Sequence, residues 1–162
     1  MNYYNEIKNE LINNEVYKRV KDYSKNRSDL TTYYNVGKLL IEAQGGEARA
    51  KYGDGLIKEY SKKLTNELGK GYSTRNLKKM RKFYLIQKGP TVSAKLTWSH
   101  YVELLNIEST NKINYYIRMC EEQNLSVREL RDKIKNNEYE RLDENTKLKI
   151  TNNEKYQITD LI

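Results

Sequence analysis

The sequence predicts an all-α, multi-helix domain that contains a helix-turn-helix-like pair. Three observations predict it. Apolar residues recur at spacings of three to five through most of the chain, one proline and eight glycines leave few breaks in 162 residues, and no run alternates apolar with polar as a strand would. Charged residues are 32% of the chain and hydrophobic ones 37%, a polar balance, but the periodicity marks a folded chain rather than low complexity. The length suffices for a hydrophobic core without disulfides.

The first helix is expected from Tyr4 to Lys25, with Ile7, Leu11, Val16, Val20 and Tyr23 inward and an irregularity near Asn13-Asn14. A second is expected from Asp29 to Gln44, where Leu30, Tyr33, Tyr34, Gly37, Leu40 and Ile41 share a face. Gly37 on that face predicts a close helix contact, and Gly45-Gly46 supplies the stop. The third helix runs from about Asp54 to Leu68, with Leu56, Ile57, Tyr60, Leu64 and Leu68 inward, and ends at Gly69-Lys70-Gly71. Ser73 offers an N-cap oxygen to the fourth, which begins Thr74-Arg75-Asn76-Leu77-Lys78-Lys79-Met80-Arg81-Lys82-Phe83-Tyr84, and Tyr72 before it suits a hydrophobic staple. These two helices and their glycine turn form the helix-turn-helix-like unit, about 54–87.

The loop Lys88 to Ser93 holds the proline and separates this pair from three further helices. Thr97 to Ile107 offers Trp98, Tyr101, Leu104 and Leu105 for packing, with Trp98 read as core. Ser109 to Gln123 buries Ile113, Tyr116, Ile117 and Cys120. The last opens on the capping box Ser126 to Glu129 and turns Leu130 and Ile134 inward. The domain is drawn over 1–142, and the polar segment 143–162 is read as a linker or the start of a connection to an absent C-terminal domain.

Charge distinguishes the fourth helix. The net charge is +8, and between Glu67 and Glu103 there is no acid, whereas Lys70, Arg75, Lys78, Lys79, Arg81, Lys82, Lys88 and Lys95 supply eight positive charges. At about 100° per residue, Arg75, Lys78, Lys79 and Lys82 fall within an arc of roughly 100°, opposite Leu77, Met80 and Tyr84. A one-signed helix face attracts a polyanion through phosphate contacts and counterion release. The candidate nucleic-acid-binding residues are therefore Lys70, Ser73, Arg75, Asn76, Lys78, Lys79, Arg81 and Lys82. Ser73 and nearby amides suit a phosphate, while Arg75 and Asn76 suit base edges. DNA is the expected partner. RNA stays open, as does a protein-interaction role in which the chain dimerises or its basic face meets an acidic protein.

Enzymatic chemistry is not expected of this chain alone. One histidine, His100, and one cysteine, Cys120, make neither a structural zinc site nor a recognisable nucleophile-base set, so no catalytic residue, metal or cofactor is assigned. The lone cysteine and the lack of a leader or membrane span point to a reducing cytoplasm.

Four strings in order, Tyr33-Tyr34-Asn35-Val36-Gly37-Lys38-Leu39-Leu40, Lys51-Tyr52-Gly53-Asp54, Tyr72-Ser73-Thr74-Arg75-Asn76-Leu77 with Met80-Arg81-Lys82-Phe83, and Leu96-Thr97-Trp98-Ser99-His100, resemble the N-terminal domain of YhcG-type proteins, domain of unknown function 1016. The resemblance covers roughly Val16 to Leu142. It implies a helical domain that commonly precedes a nuclease domain of the PDDEXK superfamily and that engages or targets nucleic acid for it, in a defence or mobile-element setting. The nuclease activity itself is not implied for this chain, which offers no strands to carry a metal-binding carboxylate set.

Overall fold

In the computed structural model, which describes residues 2–20, 25–46, 55–87 and 95–151, every regular element is an α-helix, and no strand occurs among the described residues. In chain order they are α1 (Tyr3–Val20), α2 (Lys25–Ala43), α3 (Gly55–Leu68), α4 (Thr74–Gln87), α5 (Trp98–Leu104), α6 (Thr110–Gln123), α7 (Val127–Lys135) and α8 (Glu144–Thr151). They group into two compact units, Met1–Ala94 and Lys95–Ile162. The boundary adjoins the proline-bearing loop expected to set the basic pair apart. That loop, Tyr23, Asp54, the Lys51 to Asp54 string and 152–162 lie outside the described residues, as does the side chain of Val20.

In the first unit α1 buries Tyr4, Ile7, Leu11 and Asn14, a regular helical stripe whose last member among the described side chains is polar. Val16, expected inward, is 55% exposed. Asn14 takes the inward position instead because its Nδ2 donates to Asp29 Oδ1 at 2.9 Å, which removes the cost of burying an amide. The expected irregularity at Asn13-Asn14 is absent. Asp29 thus ties α1 to α2, and α2 starts four residues before it, at Lys25.

α2 packs along α4, with Leu30, Val36, Leu40 and Ile41 buried from one helix and Leu77, Met80 and Phe83 from the other. Gly37 makes this approach possible. A Cβ built there would lie 2.2 Å from the Met80 carbonyl oxygen and 2.9 Å from Tyr84 Cβ, so any side chain would drive the helices apart. The close contact expected from the sequence is therefore present, and Tyr34 and Tyr84 meet edge-on beside it at 5.0 Å. α3 adds Ile57, Tyr60 and Leu64 to the core, and the Tyr4 and Tyr60 rings meet edge-on at 5.4 Å.

In the second unit Thr97, Ser109 and Ser126 cap α5, α6 and α7, and the Ser126-Glu129 capping box forms as expected, with both of its bonds at 3.1 Å. Trp98, expected in the core, is only half-buried; Leu96, His100, Tyr101 and Leu104 fill that region. α6 contributes Ile113, Tyr115, Tyr116, Met119 and Cys120. The segment read as a polar linker contains α8. Its Thr146 and Ile150, with Leu142 before it, are buried at four-residue spacing, and Asp143 Oδ1 caps it by accepting from Thr146 N at 2.7 Å. A threonine on the buried stripe and a preponderance of polar residues hide this helix from a periodicity argument.

Candidate nucleic-acid interface

The candidate surface is α4 and the turn that feeds it. Gly69 and Gly71 both have positive φ, +97° and +109°, values that L side chains adopt only with strain, so the reversal between α3 and α4 depends on glycine at both places. Ser61 Oγ, from α3, donates to the Tyr72 carbonyl at 2.7 Å and fastens the end of the turn. Ser73 Oγ accepts from Asn76 N at 3.1 Å, and the first helical bond follows from Leu77 N to Ser73 O at 2.9 Å. The expected N-cap is therefore formed.

Along α4 the apolar and cationic residues separate. Leu77, Met80 and Phe83 are buried, Tyr84 is half-buried, Arg75 and Lys82 are exposed, and Lys78 and Lys79 are half-buried. None of the helix's fourteen residues is acidic. On neighbouring helices Lys63 pairs with Glu59 at 3.2 Å and Lys8 with Glu67. The hydrogen bond from Lys8 holds the Glu67 carboxyl below its usual range.

Two of the expected site residues have local duties. Asn76 Nδ2 donates to the Gly71 carbonyl at 3.2 Å, so this amide braces the turn. Arg81 Nη1 donates to Gln44 Oε1 at 2.9 Å at the end of α2, on the flank of the cationic arc. Lys70 is exposed in the turn, where it lines a cleft of about 150 Å³. Sequence reasoning missed Ser61, Gln44 and that cleft. Only Ser61 left a trace, as a small hydroxyl beside the apolar stripe of α3.

The residues weighed for other chemistry are structural. His100 is buried; its Nδ1 accepts from Thr97 N at 2.9 Å, and Nε2 lies 2.8 Å from the Leu125 carbonyl. Cys120 is fully buried, and burial pushes its thiol up to about 12, which leaves it without thiolate character near neutrality. Among the described residues no three His, Cys, Asp or Glu side chains are grouped to hold a metal ion, and no helix is long and apolar enough to cross a membrane.

Comparison with known proteins places these features in context. A family model described as the DUF1016 N-terminal domain matches residues 7–141. A protein of Escherichia coli (strain K12) named "Putative nuclease YhcG" is 33% identical over 144 residues, with 68% of this chain and 38% of the relative covered. The chain thus spans well under half the length of that relative. No solved structure matches.

Proposed function

This chain belongs to the DUF1016 N-terminal domain family, and from that premise we propose that it is a DNA-binding module that targets an associated nuclease. The observation that carries the reading is the acid-free face of α4, cationic on one side and fastened to the core on the other. Lys78, Lys79 and Lys82, with Lys70 in the turn, contact phosphates. Arg75, exposed in the first turn of α4, is the residue best able to reach a base edge in the major groove. Ser73 and Asn76 hold the N-terminus of α4 in shape, and Arg81 sets its seating through Gln44. In this reading α3 and α4 act as a helix-turn-helix-like pair, with α4 in the groove.

The relative's name supports the nuclease association. We propose that cleavage belongs to a PDDEXK-type domain of a longer protein, that this chain targets it, and that both act in the cytoplasm.

Fluorescence anisotropy with a labelled duplex over a salt series tests the proposal. About four phosphate contacts give a slope of log affinity against log salt near −3.6. Changing Arg75, Lys78, Lys79 and Lys82 together to glutamate should abolish binding with the helical circular-dichroism spectrum retained. Unchanged affinity in a folded variant would overturn the reading. A competition arm with structured RNA and with an acidic polypeptide separates DNA from the two other polyanionic partners that a basic helix suits.

A further inference from the structure

The sorting of charge on α4 continues onto α3, whose rotation is fixed by its contacts with α1 and with the turn. Ile57, Tyr60 and Leu64 point into the core. Tyr60 meets the Tyr4 ring and Glu67 pairs with Lys8, so one flank of α3 faces α1. Ser61 Oγ reaches the Tyr72 carbonyl at 2.7 Å, so the other flank faces the turn that leads into α4. At about 100° per residue, Lys58 stands about 60° past Ser61 and Lys62 about 100° past it, whereas Tyr60 and Glu67 stand about 100–120° away in the opposite sense.

The charges of α3 also differ in what they meet. Both of its acids hold a lysine: Glu67 holds Lys8, and Glu59 holds Lys63, whose Nζ also lies over the Tyr4 ring, 5.3 Å from its centroid. Lys58 and Lys62 are exposed, and neither meets a carboxylate among the described residues. They are one helical turn apart, about 6 Å along the axis, a separation that two flexible side chains can match to neighbouring phosphates of one strand. Lysine suits that task, because a point charge on a long stem neutralises a phosphate without reading a base. Glu59 interrupts the two in the sequence, so the acid-free window leaves them out, but in the structure its carboxylate is taken by Lys63.

We infer that Lys58 and Lys62 form a second phosphate-binding row, which grips one strand at the edge of the groove that α4 enters. The inference rests on the DNA-binding reading above and makes the interface a two-helix surface, with α4 and Lys70 toward the groove and α3 anchored on the backbone beside it.

The test measures duplex affinity of the full chain between about 0.05 and about 0.2 M salt. Two contacts added to the four of α4 and the turn take the slope of log affinity against log salt to about −5.4. Lys58→Gln with Lys62→Gln should return it to about −3.6, so the ratio of parent to variant affinity grows about twelvefold as the salt is lowered across that range. Lys58→Arg with Lys62→Arg keeps both charges and should retain the parent slope. Lys38→Gln with Lys63→Gln removes two exposed charges from the same unit but away from the row, and should leave the slope within about 0.5 of the parent. Matched thermal unfolding of the variants excludes a folding defect. A slope that Lys58→Gln with Lys62→Gln leaves unchanged, with binding still dependent on Arg75 and Lys82, overturns this inference and leaves DNA binding intact. Equal changes from the two glutamine pairs overturn it as well, since the net charge of the unit would then suffice. Absence of duplex binding at low salt overturns both readings. A loss seen with structured RNA and not with the duplex would overturn the assignment of the row to DNA.

Discussion

His100 illustrates how a single side chain can hold two connections at once. A carbonyl can only accept, so Nε2, 2.8 Å from Leu125 O, carries the ring proton, and Nδ1 is left to accept from Thr97 N. The ring completes the cap of α5 and ties it to the α6–α7 connection. His100→Ala should cost about 2–4 kcal/mol, since it leaves a buried carbonyl and a backbone N–H unpaired beside a cavity. A shift in the urea midpoint at constant m-value measures this, and a loss below about 0.5 kcal/mol would contradict the assigned bonds. Two other buried groups contribute to the alkaline limit, beside Tyr4 and Tyr60, whose hydroxyls burial also pushes up. Burial pushes Cys120 from 9.0, and Tyr116 from 10.0, up to about 12. The unfolded chain therefore loses these protons first, and the stability they confer is complete below about pH 8 and lost as pH rises toward 12. Denaturation midpoints should fall between about pH 8 and about pH 11, and Cys120→Ala together with Tyr116→Phe should flatten that fall. A midpoint equally steep in the double variant would assign the alkaline loss to other groups.

At the scale of elements, glycines at three kinds of position make opposite predictions. Gly37→Ala forces α2 and α4 apart, because the new Cβ meets backbone rather than a movable side-chain tip, and it should cost about 3 kcal/mol or more. Gly69→Ala and Gly71→Ala meet nothing within 4 Å, yet their positive φ makes each cost about 1–2 kcal/mol. Gly55→Ala, at the start of α3 with open space and no unusual φ, should stabilise by about 0.4–1 kcal/mol. Equilibrium denaturation of the four variants checks the order, and a Gly37→Ala protein as stable as the parent would refute the helix contact. The sequence made α4 legible because every local cue agreed: glycine turn, serine cap, apolar stripe and absent acids. It made Gly37 legible because a glycine on an apolar face has few other uses. α8 and the end of α1 were not legible. There the buried stripe includes Thr146 and Asn14, and Asn14 is held by a carboxylate fifteen residues away, so tertiary bonds rather than local pattern decide which face turns inward.

Across the whole molecule, either net charge or its arrangement recruits a polyanion. The cleft beside the turn was invisible in the sequence because its lining comes from four separate segments, but the charge segregation was visible there and is retained in the structure. Outside the acid-free window the remaining 22 basic residues, 30 less eight, balance the 22 acidic ones, so the window accounts for the whole excess. Two double variants separate the explanations. Arg75→Glu with Lys82→Glu on α4, and Arg128→Glu with Lys135→Glu on α7, each change exposed residues and each lower the net charge from +8 to +4. If net charge alone drives binding, the two should weaken duplex affinity equally. If α4 is the interface, its variant loses two phosphate or base contacts and gains two repulsions. Its affinity should then fall at least about thirtyfold, with the salt slope shallower by about 1.8, while the α7 variant stays within about threefold of the parent. Equal losses from the two would reduce the basic helix to one contributor to a diffuse field, because the same four units of charge would then act alike wherever they stand.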